Sequence, residues 1–307
     1  MFTPKRSLVV VIAVLFLGLS MIGCGAKQPA QPDIEPKSGG LQVVTSISIL
    51  ADITRKVVGD RGQVTYIVPI GEAPEHYEPV PSDFQKVSNA DILFANGLGL
   101  EEWLGRIVSN VTHTEVAYLT EGAPTIPLVG RDGADPHLWF NVKLVTDHYI
   151  SNILNALIRL DPEGEKVYRR NAELYTARLQ ELDAWVVDQV QQIAPDRRVI
   201  VTTENAFKYF GEAYGFDTAG VWELNSHGEG TPQQISQIVD LVREHRVPGV
   251  FIETTVDRRY MEAVAKDTGV PIAGKLYTDA LGPEGSSAET YIGMMKYNVH
   301  TLLKGLR

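Results

Sequence analysis

The sequence predicts an α/β protein of two lobes, each built on a mainly parallel sheet flanked by helices, joined by one long helix. Three observations predict this class. From Leu41 onward, short β-branched runs alternate with amphipathic stretches, as in chains built from βα units. Between Pro162 and Ile193 a single helical pattern runs without interruption. After Ile193 the alternation of strands and helices resumes.

Residues 1–23 are predicted to be a secretory signal peptide. Lys5 and Arg6 form a basic start, and the apolar run from Leu8 to Leu19 is too short for a membrane span. Cys24 is the only cysteine, so it cannot form an internal disulfide. One interpretation is a generic signal, or an uncleaved anchor, with a chance cysteine. The stretch "SMIGC" resembles the lipobox of bacterial lipoproteins, although methionine stands where leucine is more usual, and this favours acylation of Cys24.

Residues 24–40 are predicted to be a lipid-anchored linker. The stretch from Gly25 to Gly40 is rich in proline, glycine and glutamine and has almost no large apolar side chains. Such a composition cannot offset the entropy cost of ordering the chain. Acyl chains on Cys24 would then hold the protein at a lipid bilayer, on the extracellular or periplasmic side of the cell membrane.

The N-terminal lobe is predicted over residues 41–161. The run "LQVVT" predicts a buried strand, and "SISILADITRKVVGD" predicts a helix that Ser46 caps and Gly59 ends. The runs "QVTYIVP" and "DILFAN" predict two more strands, with a short helix over "PSDFQKVSNA" between them. The alternation predicts a mainly parallel sheet.

The connecting helix is predicted over residues 162–193, with no internal proline and no glycine beyond its first turn. At 1.5 Å per residue it would be roughly 45 Å long. A coiled-coil dimer is the competing interpretation, but the pattern is too short to favour it. The apolar positions recur at spacings of three, four and seven: Tyr168, Tyr175, Leu179, Leu182, Val186, Val190 and Ile193.

The C-terminal lobe is predicted over residues 194–307. Strands are predicted at "RRVIVT", "DTAGVW", "PGVFIET" and "PIAGKLYT", each followed by a helical stretch. The best-marked helix begins at "TPQQISQIVDLV". Thr231 is its candidate cap, Pro232 suits the first turn, and Gln234 occupies the reciprocal position of a capping box.

Composition and charge exclude some functions. With 307 residues, 44% of them hydrophobic and 21% charged, the chain has an ordinary globular composition. The formal net charge is −10, and no basic stripe is evident along the sequence. We therefore expect no nucleic-acid partner.

Potential metal ligands occur in four predicted loops that follow strands, where open α/β sheets place their binding sites. They are Glu75 and His76 in "APEHYEP", His137 in "DPHLW", Glu204 in "TTENAF" and Asp279 in "LYTDAL". Imidazole nitrogen with several carboxylate oxygens suits a divalent cation such as Mn²⁺ or Fe²⁺.

Each of these residues also has an ordinary structural interpretation. His137 lies where a helix begins after Asp135, Glu204 could complement a helix dipole, and Asp279 could form a turn. Ligands so far apart in sequence have no spacing signature, so the residues alone leave both interpretations open.

The chain from about Leu41 to Leu306 resembles the solute-binding lipoproteins of bacterial ABC importers for manganese, zinc and iron. The resemblance implies two α/β lobes, a rigid connecting helix and one metal held between the lobes by four side chains. It covers nearly the whole predicted mature chain and is carried by ordered blocks: "VVTSISILADITRKVVGD", "YEPVPSD", "ADILFANGLGLEEW", "DPHLWFNV", "TTENAFKYFGEAYG", "WELNSHGEGTPQQI" and "VDRRYMEAVAKDTGVPI".

Carried over by motif, the resemblance implies that the second, third and fourth ligands are His137, Glu204 and Asp279. Zinc-type members usually have a histidine at the third position and often a loop rich in histidine and acidic residues. This sequence has Glu204 at the third position and no histidine cluster from His113 to Asp135. It therefore resembles the manganese-type branch. His227 and Glu229 would lie near the cleft on the same grounds.

At the first ligand the chain departs from the family pattern. The family commonly has "DPHxYEP", whereas this chain has "APEHYEP", which puts Glu75 in the ligand register and His76 one place later. Adjacent residues of an extended loop point in different directions, so we do not expect both to bind. The unchanged register and the hard oxygen donor favour Glu75 over His76.

The resemblance implies metal capture and delivery to a membrane permease and its ATPase by a protein that acts as a monomer and performs no chemistry. Mn²⁺ is favoured, with Zn²⁺ or Fe²⁺ as alternatives. A metal-dependent hydrolase is the alternative from another class, but no HExxH helix, nucleophile elbow or phosphate loop is evident. A surface adhesin is a third alternative, which no repeat array in the sequence supports.

Overall fold

The computed structural model describes residues 40–111, 114–224 and 230–307. These residues belong to one compact unit, Gly39–Arg307. The predicted signal peptide, Cys24 and nearly all of the predicted linker lie outside the described residues, as do His113, His227 and Glu229. Within the described ranges, no helix is both long enough and apolar enough to cross a membrane.

The N-terminal lobe is built on a four-stranded parallel sheet with the order β2-β1-β3-β4. Its central strands β1 and β3 pair from Val43 opposite Ile92. Strand β3 is buried along its whole length, as expected for a parallel sheet covered on both faces. The strands are β1 (Leu41–Thr45), β2 (Gly62–Tyr66), β3 (Ile92–Ala95) and β4 (Glu115–Tyr118).

The helices of this lobe connect and cover the strands. The first helix ends at Gly59, which has a φ of 60°, a conformation open to glycine. A π-helical segment, Val145–Tyr149, separates the last two helices. The helices are α1 (Ser48–Val58), α2 (Pro81–Ser88), α3 (Leu104–Val108), α4 (Val142–Leu144) and α5 (Ile150–Leu160), with short 3-10 turns at Gly59–Arg61, Pro74–His76 and Leu138–Phe140.

One long helix, α6 (Glu165–Val190), confirms the predicted connection. A 3-10 turn over Pro162–Gly164 precedes it. Its helical spacing places seven apolar side chains on the buried face, six of them the predicted stripe positions between Tyr168 and Val190. Because this stripe is covered within the chain, it is used for intramolecular packing rather than for a coiled coil.

The C-terminal lobe contains two parallel strand pairs, β5-β6 and β7-β8. Thr231 and Gln234 form the predicted capping box: the Gln234 amide donates to Thr231 Oγ1, and the Thr231 amide donates to Gln234 Oε1. The strands are β5 (Val199–Glu204), β6 (Asp217–Trp222), β7 (Val250–Glu253) and β8 (Ile272–Leu276). The helices are α7 (Lys208–Tyr214), α8 (Pro232–Glu244), α9 (Arg259–Thr268) and α10 (Tyr291–Leu306), with a 3-10 turn at Pro195–Arg197.

The larger of two apolar cores extends through both lobes. It includes the faces of α1, α5, α6 and α10 and reaches Phe207, Phe210 and Leu276 of the C-terminal lobe. A second, smaller core lies between strands β5–β8 and helices α8 and α9. Since the larger core is shared, the boundaries 41–161, 162–193 and 194–307 remain predictions.

One predicted cap is wrong. Ser46 does not cap α1, because the residue before the helix is Ile47, without a side-chain cap. The Ser46 hydroxyl instead donates to Glu101 Oε1 at 2.6 Å. Glu101 also accepts the amide hydrogens of Asn96 and Gly97 at 2.7 and 3.0 Å. This buried carboxylate therefore fixes the loop that follows β3.

Candidate metal centre

The candidate ligands lie at the ends of local elements. Glu75 is the middle residue of the 3-10 turn Pro74–His76, and His137 directly precedes the turn Leu138–Phe140. Glu204 is the last residue of β5, and Asp279 follows the end of β8. Glu204 and Asp279 thus extend from the carboxyl end of a strand or the loop after it, where parallel sheets place ligands.

The structure brings four of the five candidates together. One potential ligand atom from each of Glu75, His137, Glu204 and Asp279 lies within 4.8 Å of the other three. Nε2 of His137 is 3.2 Å from Oδ1 of Asp279 and 3.8 Å from Oε1 of Glu204. His76 is exposed and is not a member of this group, which is defined over the described residues.

The turn that carries Glu75 is held from two sides. Pro74 is buried at the first position of the turn, and its carbonyl accepts a hydrogen bond from Nε1 of Trp103 at 2.7 Å. The ring of Tyr77 packs edge-on against Trp103, with 5.4 Å between ring centroids. The Tyr77 hydroxyl in turn donates to Asp83 at 2.6 Å. These contacts fix which side chain of the turn faces the cluster.

His137 is oriented by Asp135. Oδ1 of Asp135 accepts the His137 backbone amide at 2.8 Å and lies 2.9 Å from Nδ1 of the ring. This places the Nδ1 proton toward Asp135 and leaves Nε2 facing Glu204 and Asp279. The Trp139 ring packs edge-on against the imidazole at 5.2 Å.

The charge around His137 is strongly negative. Burial alone would lower the pKa of His137, but Asp135, Asp279 and Glu204 together outweigh burial and raise it well above its usual value. The pocket therefore attracts a positive charge at Nε2. A proton and a metal cation would compete for that place.

Asp279 is held so that one oxygen faces the cluster. Its Oδ2 accepts hydrogen bonds from the hydroxyls of Thr255 and Thr278, at 2.7 and 2.9 Å. Its Oδ1 points toward His137. Burial raises the pKa of this carboxyl, but the proximity and charge of His137 and the hydrogen bonds from the two threonines outweigh burial and lower it. Asp279 is therefore an anion in the pocket.

Glu204 is fixed through its backbone. Its amide donates to Oε1 of Glu253 at 2.7 Å, and its carbonyl accepts from the Thr202 hydroxyl at 2.6 Å. Gly220 on the paired strand β6 permits this packing, because a β carbon there would lie 2.8 Å from the carbonyl carbon of Glu204. Glu204 itself is completely buried.

Two residues beside the cluster, Glu253 and Thr255, are not among those predicted from the sequence. Burial raises the pKa of Glu253 to about 7, although hydrogen bonds from Glu204 and Thr203 oppose the shift. Glu253 ends strand β7, as Glu204 ends β5. The sequence signal for this residue is therefore an acidic residue at the end of a short buried run, "VFIE".

The donor set fits a divalent cation. Nε2 of His137 and Oδ1 of Asp279 are buried and make no hydrogen bond of acceptable geometry, although they lie only 3.2 Å apart. Buried polar atoms without partners are costly unless a ligand satisfies them. One imidazole and three carboxylates supply nitrogen and hard oxygen donors, which suit Mn²⁺, Fe²⁺ or Zn²⁺.

A two-lobe α/β fold with a candidate metal-binding cluster of this kind indicates a class of metal-capturing proteins. The chain belongs to the ZnuA family, described as zinc-uptake complex component A, periplasmic, whose model matches residues 43–305. The family match covers nearly all of the described residues.

Three similar proteins differ in the metal that their names give. The manganese-binding lipoprotein MntA of Halalkalibacterium halodurans is 52% identical over 95% of this chain and 96% of its own. The iron ABC transporter substrate-binding lipoprotein MtsA of Streptococcus pyogenes is 39% identical over 88% of this chain and 90% of its own. The periplasmic zinc-binding protein TroA of Treponema pallidum superposes with a TM-score of 0.83 at 29% identity, covering 87% of this chain and 99% of that structure.

Proposed function

We propose that this protein is the extracytoplasmic solute-binding component of an ABC importer, which captures a divalent transition metal and delivers it to the membrane permease. The observation that carries the proposal is the convergence of Glu75, His137, Glu204 and Asp279, with ligand atoms within 4.8 Å of one another. Membership of the ZnuA family supports the same function. The matched relatives are named as binding components, so we assign capture and release without catalysis.

The proposed ligand set is Glu75, His137, Glu204 and Asp279, with Glu75 rather than His76 as the first ligand. Glu75 belongs to the converging group, whereas His76 is exposed one residue later. Successive residues of a 3-10 turn are separated by about 120° around its axis, so only one of the two can face the metal.

The proposed metal is Mn²⁺. Three carboxylates and one imidazole form a harder donor set than one rich in histidine, and hard donors favour Mn²⁺ relative to softer cations. The relative with 52% identity is named as a manganese-binding lipoprotein. Divalent affinities rise from Mn²⁺ toward Cu²⁺ in most sites, so Zn²⁺ and Fe²⁺ are expected to bind in vitro as well.

The proposed partners are the permease and ATPase of the importer and the lipid bilayer. The bilayer contact is assigned to acyl chains on Cys24, which would leave residues 25–40 as a flexible tether. The relatives MntA and MtsA are named as lipoproteins, which supports an anchor facing away from the cytoplasm. We assign a monomer, since each chain supplies the four ligands.

Thermal unfolding of chelator-treated protein tests metal capture. Free Mn²⁺ at 100 times its Kd should add about 2.7 kcal/mol to the free energy of unfolding. For a protein of this size, that corresponds to a rise in Tm of several degrees. Mg²⁺ at the same concentration is the control, because its preference for near-ideal octahedral oxygen coordination does not fit this set. No rise with Mn²⁺, Fe²⁺ or Zn²⁺ would refute metal capture.

A further inference from the structure

A cleft of about 550 Å³ lies between β8 and α10, outside the metal centre. Three lysines and one histidine line it: Lys275 from β8, and Lys296, His300 and Lys304 from α10. The remaining lining residues are uncharged, so the described lining contains no acidic side chain. This is unexpected in a chain whose formal net charge is −10.

Helix geometry places three of these four residues on one side of the cleft. Lys296, His300 and Lys304 follow one another at intervals of four residues, which places them on one face of α10. Lys275 comes from the strand beside that face. No basic stripe is evident along the sequence, because the fourth residue comes from another element and the other three are spaced by uncharged residues.

The ammonium groups of the three lysines, Lys275, Lys296 and Lys304, are not paired with carboxylates in the described part of the chain. Lys296 instead lies 5.5 Å from the centre of the Trp185 ring on α6, and His300 packs edge-on against the same ring at 5.2 Å. A cleft lined by basic residues and by no acidic side chain has a positive potential, which points to an anion from outside the chain.

The cleft is separate from the metal centre. Tyr291 at the start of α10 donates to the carbonyl of Trp139, beside His137. Lys304 lies thirteen residues farther along the helix, or about 20 Å along its axis. No residue that lines the cleft belongs to the candidate ligand group, so occupation of the cleft should leave metal binding unchanged.

We propose that this basic cleft docks the protein onto phosphate headgroups of anionic lipids in the membrane that holds its anchor. This inference rests on the acylated Cys24 of the proposed function. Charge complementarity supports a phosphate-bearing surface, and Trp185 beside Lys296 suits a membrane interface, where indole rings are enriched.

The length of the linker is compatible with this contact. The described chain begins at Gly40, packed against the backbone of Arg61, which pairs with Asp161 close to the start of α6. Arg307 contacts Gln192 just beyond the other end of α6, about 39 Å away by the length of that helix. The sixteen residue-to-residue steps from Cys24 to Gly40 can extend to about 50 Å. The cleft and the anchor can therefore reach the same bilayer.

The test uses the full acylated protein bound to vesicles. Acetylation of lysines by a membrane-impermeant reagent is followed by mass spectrometry, in phosphatidylcholine vesicles with and without phosphatidylglycerol. We expect Lys275, Lys296 and Lys304 to react at least about fivefold more slowly with the anionic lipid, since each basic residue near such a surface gains about that factor. Lys166 and Lys266 lie outside the cleft and should not change.

Matched variants make the result specific. Lys275→Gln with Lys304→Gln should remove the protection of Lys296, whereas Lys166→Gln with Lys266→Gln should preserve it. Raising the salt to about 1 M should abolish the protection by screening. Equal reactivity of Lys296 in both vesicles would overturn the proposal. Protection by inorganic phosphate in neutral vesicles, without protection by phosphatidylglycerol, would instead assign a free anion and overturn lipid docking.

The same samples distinguish a missing lipid anchor from a missing contact between the cleft and the lipid. If the protein floats with neither kind of vesicle, both the acylated anchor and the docking that rests on it are contradicted. Protein that floats and binds Mn²⁺ but shows no protection contradicts docking alone.

Discussion

At the residue scale, the candidate metal centre depends on polar side chains that set the direction of other side chains. Asp135 holds the backbone and Nδ1 of His137, and two threonines hold one oxygen of Asp279. These contacts engage Nδ1 of His137 and Oδ2 of Asp279, and they leave Nε2 and Oδ1 facing the cluster. Affinity should therefore depend on residues that do not touch the metal.

Asp135→Asn should weaken Mn²⁺ binding by about tenfold, because an amide holds the His137 ring without the negative charge that raises its basicity. Competition with a fluorescent chelator measures the Kd. Asp132→Asn, three residues earlier and exposed, is the matched control. An unchanged Kd in Asp135→Asn, with an unchanged Tm of the metal-free protein, would contradict the orienting role.

The sequence could predict the types of ligand at this scale but not their geometry. His137, Glu204 and Asp279 were named from motifs that resemble a family, since their separation in the chain gives no local signal. The choice between Glu75 and His76 depends on a turn held by Trp103 and Tyr77, contacts that no local pattern encodes. Ser46 looked like a helix cap because its partner Glu101 is 55 residues away.

At the element scale, the long helix α6 is the part of the fold that the sequence predicted best. Its apolar stripe repeats for seven positions without a break, so the periodic signal is strong. Strand β4 (Glu115–Tyr118) was not predicted, because four partly exposed residues carry no clear alternation. The sequence does not predict which strands of the C-terminal lobe pair with each other, because the pattern of a single strand does not specify its partner or register.

The start of α6 is fixed by a charged cluster whose effect depends on pH. Asp161 accepts hydrogen bonds from Arg61 and Tyr168 at 2.7 and 2.6 Å. Burial tends to raise the pKa of Asp161, but these partners outweigh it and lower the pKa below its usual value. A carboxyl with a lowered pKa stabilises the fold above its unfolded-state pKa, near 4, and this contribution is lost as the pH falls through its folded-state value.

Asp161→Asn should therefore lower the free energy of unfolding by about 1 kcal/mol at pH 7, a modest value because the cluster is partly exposed. The difference from the parent protein should shrink as the pH is lowered from about 5 toward 3. Urea unfolding of the metal-free proteins at several pH values measures it. A difference that stays constant over this range would argue against the charged cluster.

At the scale of the whole molecule, the two lobes are joined by more than α6. The Tyr209 hydroxyl on α7 accepts the Ile126 amide at 3.1 Å and donates to the Asp135 carbonyl at 3.0 Å. The rings of Phe140 and Phe207 stack with 4.4 Å between centroids. With one core shared by both lobes, metal release should involve a local opening rather than a wide hinge motion.

Tyr209→Phe should make the local opening that releases the metal easier. The variant leaves a backbone amide without its partner, so we expect a loss of about 1–3 kcal/mol in stability and a faster release of Mn²⁺. Stopped-flow chelation measures the release rate. Tyr118→Phe, on the exposed side of β4, is the control and should leave the rate unchanged. An unaltered release rate in Tyr209→Phe would show that these contacts do not hold the site closed.

The central claim is that one divalent cation is held by Glu75, His137, Glu204 and Asp279. Elemental analysis and Mn²⁺ titration of Glu75→Ala and His76→Ala, beside the parent protein, test it most directly. We expect the parent and His76→Ala to bind one Mn²⁺ with similar affinity, and Glu75→Ala to lose at least about tenfold, since a ligand contributes more than its supporting partners. Loss of the metal in His76→Ala with retention in Glu75→Ala would contradict the account.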